Sequence, residues 1–286
     1  LKLFLEKSIP VGESVYTPTE LTLNRICSDD ILSPISLPLF NNSAMDGYAL
    51  HVSDDKLGVI GVKTFDIIGT SKAGTPFTGN VSVGCGVRIF TGGKIPDGCN
   101  CVVMQEDCDL DNGLLEVFPP LKKYSHFRMK GDEISSGDTI ITKGTLIEPK
   151  HLGMISSVGI VGFNIFRKVK VGVFFTGDEL KYPGDELGDG HIFNSNEYAF
   201  VGILNQLNCE IINLGIIPDE IDIIKSSLVK LTHEVDLILT TGGASVGDHD
   251  LINPACKELG SVEVWKSKIK PGKPVMLASI DGCPVI

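Results

Sequence analysis

The 286-residue chain contains no Cys-x-x-Cys pair and no surplus of positive charge. It also has no uninterrupted apolar stretch of the roughly 18 residues that a membrane-spanning helix needs, so no span is expected. Its eight cysteines stand apart at 27, 85, 99, 101, 108, 209, 256 and 283, and its six histidines are scattered. That spacing argues against a Cys/His metal site. Dispersed thiols of this kind behave as small apolar fillers in a reducing, cytoplasmic setting. With 25 Lys and Arg against 36 Asp and Glu, the net charge is −11. A nucleic-acid partner would call for a basic face, which such a balance does not supply. A small anionic ligand stays open, because a few lysines or a metal-bridged carboxylate can reverse the field inside one cleft. The opening LKLFLEKSIP carries Lys2, Glu6 and Lys7 with no small-residue cleavage site after it, so no signal peptide is expected.

What is present is an ordinary globular composition, 42% hydrophobic and 21% charged, over a length that favours two or three domains. Glu20 to Ile26 has the pattern of a short helix, and SPISLPLF, punctuated by proline, reads as extended chain. In NNSAMDGYAL, Gly47 reads as a turn. Residues 50–119 read as a small β domain of short β-branched runs, and Asp111-Asn112-Gly113 signals a hairpin. Pro149 opens a helix with Leu152, Ile155 and Val158 on one side. From 169 the pattern becomes strand–helix–strand–helix–strand. VKVGVFFT is a buried strand, and Phe200, Ile203, Leu204 and Leu207 mark one helix face. CEIINLG is a second strand, and Ile221, Ile224, Leu228 and Leu231 mark a second helix behind Asp219 as N-cap. DLILTT is a third strand. Buried strands in that order imply a parallel sheet covered on both faces.

Loops leaving parallel strands share one edge, where ligands of open α/β sheets bind. Three such loops carry acid: TGDEL with Asp178 and Glu179, GIIPDE with Asp219 and Glu220, and TTGGASVGDHD with Asp248 and Asp250. In the last, Gly242, Gly243, Ser245 and Gly247 form a loop whose backbone N–H groups can surround an anion; Gly-Gly is equally an ordinary turn. Carboxylates gathered on one rim call for a hard cation such as Mg²⁺, which takes oxygen ligands and phosphate co-ligands. WKSKIKPGKP brings Lys266, Lys268, Lys270 and Lys273 together, as an oxyanion pocket or as a solubilising edge strand.

These stretches, with SPISLPLFNNSAMDGYA (33–49) and TGGKIPDGCNCVVMQE (91–106), resemble the molybdopterin molybdenumtransferase family, which includes the E domain of gephyrin. The resemblance runs over nearly the whole chain, and SAMDGYA is its most specific motif. It implies a multidomain α/β plus β fold. Residues 1–40 with 130–168 would form a mixed connecting and dimerisation domain, 41–129 an inserted β domain, and 169–286 a three-layer, molybdopterin-binding-like α/β domain. It implies insertion of molybdate into adenylylated molybdopterin with release of AMP and help from Mg²⁺. By motif, the implied catalytic residues are Asp46, Glu179, Asp219 and Asp250, the last three being the metal ligands. Thr91, Arg128, Gly242, Gly243, Ser245, Gly247, Lys266, Lys270 and Lys273 are implied for substrate. Taken alone, Asp46 reads as a turn residue, Thr91 as a structural hydroxyl and Arg128 as a surface ion-pair partner. The implied assembly is a homodimer whose cleft lies between the α/β domain of one subunit and the SAMDGYA region of the other. Molybdopterin adenylyltransferase or molybdoenzymes would be its partners. A molybdopterin adenylyltransferase, or a gephyrin-like scaffold without turnover, is the competing reading.

The chain departs from the family pattern in three places. Gly131-Asp132-Glu133 stands where the family has Gly-Glu-Asp, and Asn24 where it favours Gly. DGCPVI ends the chain where the family continues into a Leu-Pro-Gly-Asn-Pro turn and a C-terminal β domain. With no initiator Met, the chain reads as a fragment.

Overall fold

Two six-stranded sheets, each in its own unit, account for most of the regular structure. The structure is a computed structural model and describes residues 10–241, 251–264 and 275–286.

One unit comprises Pro18–Leu21 and Asp29–Phe163. Its sheet is made of β1 (Gly47–Leu50), β2 (Lys63–Ser71), β3 (Cys85–Ile89), β4 (Cys101–Met104), β5 (Cys108–Asp111) and β6 (Leu114–Val117). The order is β4-β1-β3-β2-β6-β5, antiparallel throughout except between β2 and β3. Side chains alternate to opposite faces along each strand. Leu50 and Cys101 therefore join Phe65, Leu115 and Val117 in one apolar cluster, while Ala49 and Val102 join Ile89 and Ile95 in another. The expected hairpin joins β5 to β6, with Asn112 and Gly113 both at positive φ (49° and 87°), as its tight turn demands. Helix α1 (Pro149–Ser157) opens on proline, is closed at its start by a Glu148–His151 capping box, and buries Ile155 and Val158.

Two readings of the first fifty residues are corrected by the structure. Glu20–Ile26 forms no α-helix: a single 3₁₀ turn covers Thr19–Leu21, and Asn24 at φ 59° takes the left-handed conformation that ends any helical run. The same value shows why asparagine serves where glycine is favoured. Gly47 is not in the turn but opens β1, between Ile89 and Met104. A Cβ there would lie 1.8 Å from the carbonyl oxygen of Val103, so close approach of β1 to β4 requires glycine.

The other unit comprises the segment ending at Thr17, Thr22–Ser28 and Asn164–Ile286. In chain order its elements are β7 (Lys170–Thr176), β8 (Leu180–Lys181), β9 (Ile192–Phe193), α2 (Ser195–Gln206), β10 (Glu210–Ile217), α3 (Ile221–Thr232), β11 (Leu237–Thr241), α4 (Ile252–Leu259), β12 (Ser261–Val264), β13 (Leu277–Ile280) and β14 (Cys283–Val285). The sheet order is β10-β7-β11-β14-β13-β12; the first four strands are parallel and β12 and β13 add an antiparallel edge. The apolar run of β7 serves both faces. Val171, Val173 and Phe175 pack with Leu204 and Phe200 of α2, whereas Phe174 packs with Ile224, Leu228 and Leu231 of α3 and with Ala255 and Cys256 of α4. Gly172 faces Leu231, and a Cβ there would come within 2.9 Å of a Leu231 methyl. The layers are thus helix, sheet, helix.

Of the four residues expected on the buried face of α2, Phe200 and Leu204 pack inward, while Ile203 and Leu207 are exposed. The i, i+3, i+4, i+7 spacing identifies apolar residues near one another, but only the two that meet β7 and β10 are covered. Helix α3 begins at Ile221 with Glu220 in the cap position, one residue later than the expected Asp219, and Glu220 makes no side-chain cap bond.

Candidate functional site

In the α/β unit, Thr176 pairs with Ile217 and Phe175 with Thr241. The last residues of β7, β10 and β11 therefore lie on adjacent rungs, and the three chains leave the sheet side by side at one edge. Glu179 follows β7 by three residues and Asp219 follows β10 by two, so the structure brings these two predicted carboxylates onto neighbouring exits. Gly177 makes the exit of β7 possible. At φ +144°, any Cβ on it would sit 2.6 Å from the Glu179 carboxylate, which folds back over the turn. The Leu180 N–H donates to the Gly177 carbonyl (3.0 Å), and the Ile192 N–H donates to the Glu179 carbonyl (2.8 Å). The Glu179 backbone is thereby tied to β9, while its side chain stays exposed. Gly242, Gly243, Ser245, Gly247, Asp248 and Asp250, which come after β11, lie outside the described residues, as do Lys266, Lys268, Lys270 and Lys273. A cavity of about 720 Å³ in this unit is lined by Arg167, Val169, Asp236, Leu237 and Cys283. It lies by the amino ends of β7, β11 and β14, so it is not the site of the acidic loops.

In the β unit, residues 41–46 run between two neighbours. The Gly92 N–H donates to the Ser43 carbonyl (2.8 Å) and the Ser43 N–H to that of Gly93 (3.0 Å). On the other side Asn42–Ser43 pairs antiparallel with Phe127–Arg128. The segments bearing Asp46, Thr91 and Arg128 are thus assembled around one short strand. The Thr91 N–H and Oγ1 both donate to Asp46 Oδ1, at 2.7 and 2.8 Å. The backbone bond, and after it the hydroxyl bond, holds the exposed Asp46 carboxyl below the usual carboxylate range, and Arg88 adds to the effect. Asp46 is accordingly an anion at neutral pH and a weak base, suited to hold a cation rather than to exchange a proton. Arg128 is ion-paired with Glu133, the longer acid of the altered Gly-Asp-Glu triplet, and both side chains are about half exposed.

Sequence reasoning missed Arg88. Its guanidinium stacks 4.8 Å from the Tyr48 ring and 5.0 Å from the Phe90 ring, and donates to Gln105 Oε1. Only Phe90, two residues on and beside Thr91, was visible locally; that Tyr48 is the cross-strand partner of Arg88 follows from the register of β1 and β3, which has no local signature. Tyr182 was also missed; its hydroxyl oxygen accepts from the Ile216 N–H at 2.9 Å. A lone tyrosine in a Gly- and Asp-rich loop gave no cue to that partner. All eight cysteines are free thiols, and burial raises those at 99, 101, 108 and 283, Cys99 to about 12. Those four are chemically quiet at neutral pH. Among the described residues, no helix is long and apolar enough to cross a membrane.

Residues 1–159 match the family model described as "MoeA N-terminal region (domain I and II)", and residues 172–285 match "Probable molybdopterin binding domain". A Haemophilus influenzae protein named molybdopterin molybdenumtransferase is 36% identical over 94% of this chain and 66% of its own length. Gephyrin of Dictyostelium discoideum is 30% identical over 98% of this chain and 42% of that protein. Two crystal structures titled as the molybdopterin biosynthesis MoeA protein of Pyrococcus horikoshii cover 100% of this chain with TM-scores of 0.86, at 31% and 26% identity. They are matched over 72% and 71% of their length. The chain thus spans about two thirds of the first of these relatives and less than half of the second.

Proposed function

The chain belongs to the MoeA family, and from that premise we propose that it serves as a molybdopterin molybdenumtransferase, inserting molybdate into adenylylated molybdopterin and releasing AMP. The observation that carries the reading is the alignment of three parallel strand exits on adjacent rungs, two of them bearing Glu179 and Asp219. Ligands of open α/β sheets bind outside that edge.

The donors available there are carboxylate oxygens, which suit a hard divalent cation and not a soft one. Glu179, Asp219 and Asp250 are the residues that would hold Mg²⁺. When bound, it supplies charge neutralisation at the phosphoanhydride that is cleaved. The chain's own part is to bind and orient. Gly242, Gly243, Gly247 and Ser245 would offer N–H and hydroxyl donors to phosphate, and Lys266, Lys270 and Lys273 would offer cations to phosphate and to the molybdate oxyanion. Asp46, kept ionised by Thr91, supplies a fixed negative charge, and Arg128 a cation whose present partner is Glu133. A homodimer that joins Asp46 of one subunit to the acidic edge of the other, working in the cytoplasm beside the adenylyltransferase and the molybdoenzymes it serves, completes the reading.

The test is to supply adenylylated molybdopterin, molybdate and Mg²⁺, then follow AMP release and reconstitution of a molybdoenzyme apoprotein. Both are expected. ATP consumption with bare molybdopterin would favour an adenylyltransferase, and tight pterin binding without turnover would favour a scaffold. Asp250→Asn is expected to stop Mg²⁺-dependent AMP release with the fold intact; unchanged turnover would remove Asp250 from the mechanism.

A further inference from the structure

We propose that Tyr182 is a positioning residue that sets the spacing between the loop carrying Glu179 and the strand exit carrying Asp219. The proposal deepens the functional reading above and rests on it for the identity of the two carboxylates.

The parallel sheet carries a defect close to its ligand-facing edge. Strands β7 and β10 pair in step from Lys170↔Glu210 to Val173↔Asn213, and then the register slips so that Phe175 pairs with Ile216. Two residues of β7 are matched by three of β10, which is a β-bulge, and bulges leave backbone groups outside the ladder. Here Gly215 takes a φ of +69°. Two N–H groups at the bulge are satisfied by side chains instead: Gly215 donates to Asn213 Oδ1 (2.8 Å) and Ile216 to Tyr182 Oη (2.9 Å). The fit is close, for a Cβ on Gly215 would lie 2.3 Å from the tyrosine oxygen.

Both ends of this contact lead directly to an acid. Tyr182 is three residues beyond Glu179, and Ile216 is three residues before Asp219. The stretch between Glu179 and Tyr182 is tied to its neighbour: β8 pairs with β9, and the Asn194 N–H donates to the Lys181 carbonyl (2.9 Å). The turn beyond it is closed by Tyr182 N–H to Asp185 Oδ2 and by Asp185 N–H to the Tyr182 carbonyl, each 3.1 Å. A second tie reaches the same strand, since Glu197 on α2 accepts from Asn194 Nδ2 (3.0 Å) and from Asn213 Nδ2 (2.7 Å). Bulges recur next to functional sites because they re-aim the side chains beyond them. The tyrosine hydroxyl locks this one to the neighbouring acidic loop. Two ligands of one small cation must be held to within fractions of an ångström, so a lock of this kind is read out as metal affinity.

The experiment compares the wild-type chain with Tyr182→Phe, which keeps the ring and removes the hydroxyl, and with Gly215→Ala in both backgrounds. Mn²⁺ is the probe for the cation, its binding followed by electron paramagnetic resonance; AMP release and amide hydrogen exchange at Ile216 are measured in parallel. In Tyr182→Phe, faster exchange at Ile216 is expected, with Mn²⁺ affinity and Mg²⁺ half-saturation weakened about tenfold, the net worth of one such bond. Gly215→Ala is expected to weaken Mn²⁺ binding less in the Tyr182→Phe background than in wild type, because both changes break one contact. Equal Mn²⁺ affinity in wild type and Tyr182→Phe overturns the positioning role even if exchange at Ile216 quickens, and so does a wild type that binds no Mn²⁺. A wild type that binds Mn²⁺ more tightly than the variant yet releases no AMP overturns the transferase reading and upholds the positioning role.

Discussion

Asp236→Asn is expected to destabilise the α/β unit by about 2 kcal/mol at pH 7 without touching the acidic edge, on the general worth of charged hydrogen bonds and partly buried ion pairs. Asp236 lies just ahead of β11, at the amino end of the parallel strands. Its two oxygens accept from Arg167 Nη1 at 2.6 Å and Nη2 at 2.8 Å, and one of them also accepts from the Lys170 N–H at 2.8 Å. The Asp236 and Arg167 side chains are 27% and 23% exposed, so solvent screens the pair only in part. An asparagine keeps the shape and one acceptor, but turns a forked ionic contact into a single neutral one. The pH dependence has a definite sign. The hydrogen bond from Arg167, and secondarily that from Lys170, lowers the Asp236 pKa below its ordinary 3.8 in the folded chain. A group depressed on folding stabilises the fold above its unfolded pKa, and that contribution is lost as pH falls through the folded value. Urea denaturation of both proteins, followed by circular dichroism, should show the full gap at pH 7 and its closure in strong acid. A gap under about 0.5 kcal/mol at pH 7, or one unchanged on acidification, would refute the reasoning, since partly buried charged pairs are expected to exceed the value of exposed ones.

Gly47→Ala is expected to cost at least about 3 kcal/mol, because the new methyl meets a backbone oxygen of β4, the strand that β1 is hydrogen-bonded to, so relief requires breaking the ladder between them. Urea midpoints check it, and a loss below about 1 kcal/mol would contradict it. Gly172→Ala should cost about 1–3 kcal/mol by crowding Leu231, and the cost should shrink when Leu231 is also shortened to alanine. Thr91→Val removes the hydroxyl bond to Asp46 and leaves the backbone one, so the Asp46 pKa should rise part of the way towards its ordinary value. Carboxyl NMR titration would show the rise, and AMP release should fall several-fold.

The parts of the fold that declared themselves in the sequence are those set by local period and turn chemistry. VKVGVFFT reads as a strand buried on both faces, and Val171, Phe174 and Phe175 are indeed all buried. Ile224, Leu228 and Leu231 recur on the helical period and are fully buried together. Asp-Asn-Gly needs no tertiary help to make its hairpin. The failures share another cause. Whether Ile203 and Leu207 are covered depends on where α2 crosses β7 and β10, which their spacing does not encode. Gly47 looked like a turn glycine because its neighbours are polar, whereas its real constraint is Val103, far along the chain. The bulge at Gly215 arises from pairing between strands some forty residues apart, so the partnership of Tyr182 with Ile216 had no local signature. For the site, the exits carrying Glu179 and Asp219 are adjacent, as reasoning that parallel strands end together expects, while Asp248 and Asp250 of the third acidic stretch lie outside the described residues. Asp46 and Thr91 were each named only by motif, and their hydrogen bonds to one another were not foreseen, since 45 residues separate the two.

The proposed mechanism stands on one ion being shared by Glu179 and Asp219 across adjacent strand exits. The most direct test is Mg²⁺-dependent AMP release by Glu179→Gln, Asp219→Asn and the double variant, with adenylylated molybdopterin and molybdate supplied. Two ligands of one site act as a unit, so each single change should weaken Mg²⁺ dependence strongly and the double variant should be little worse than either. Single effects that multiply in the double variant, or a Mg²⁺ dependence that neither change alters, would mean that the two carboxylates serve no common ion.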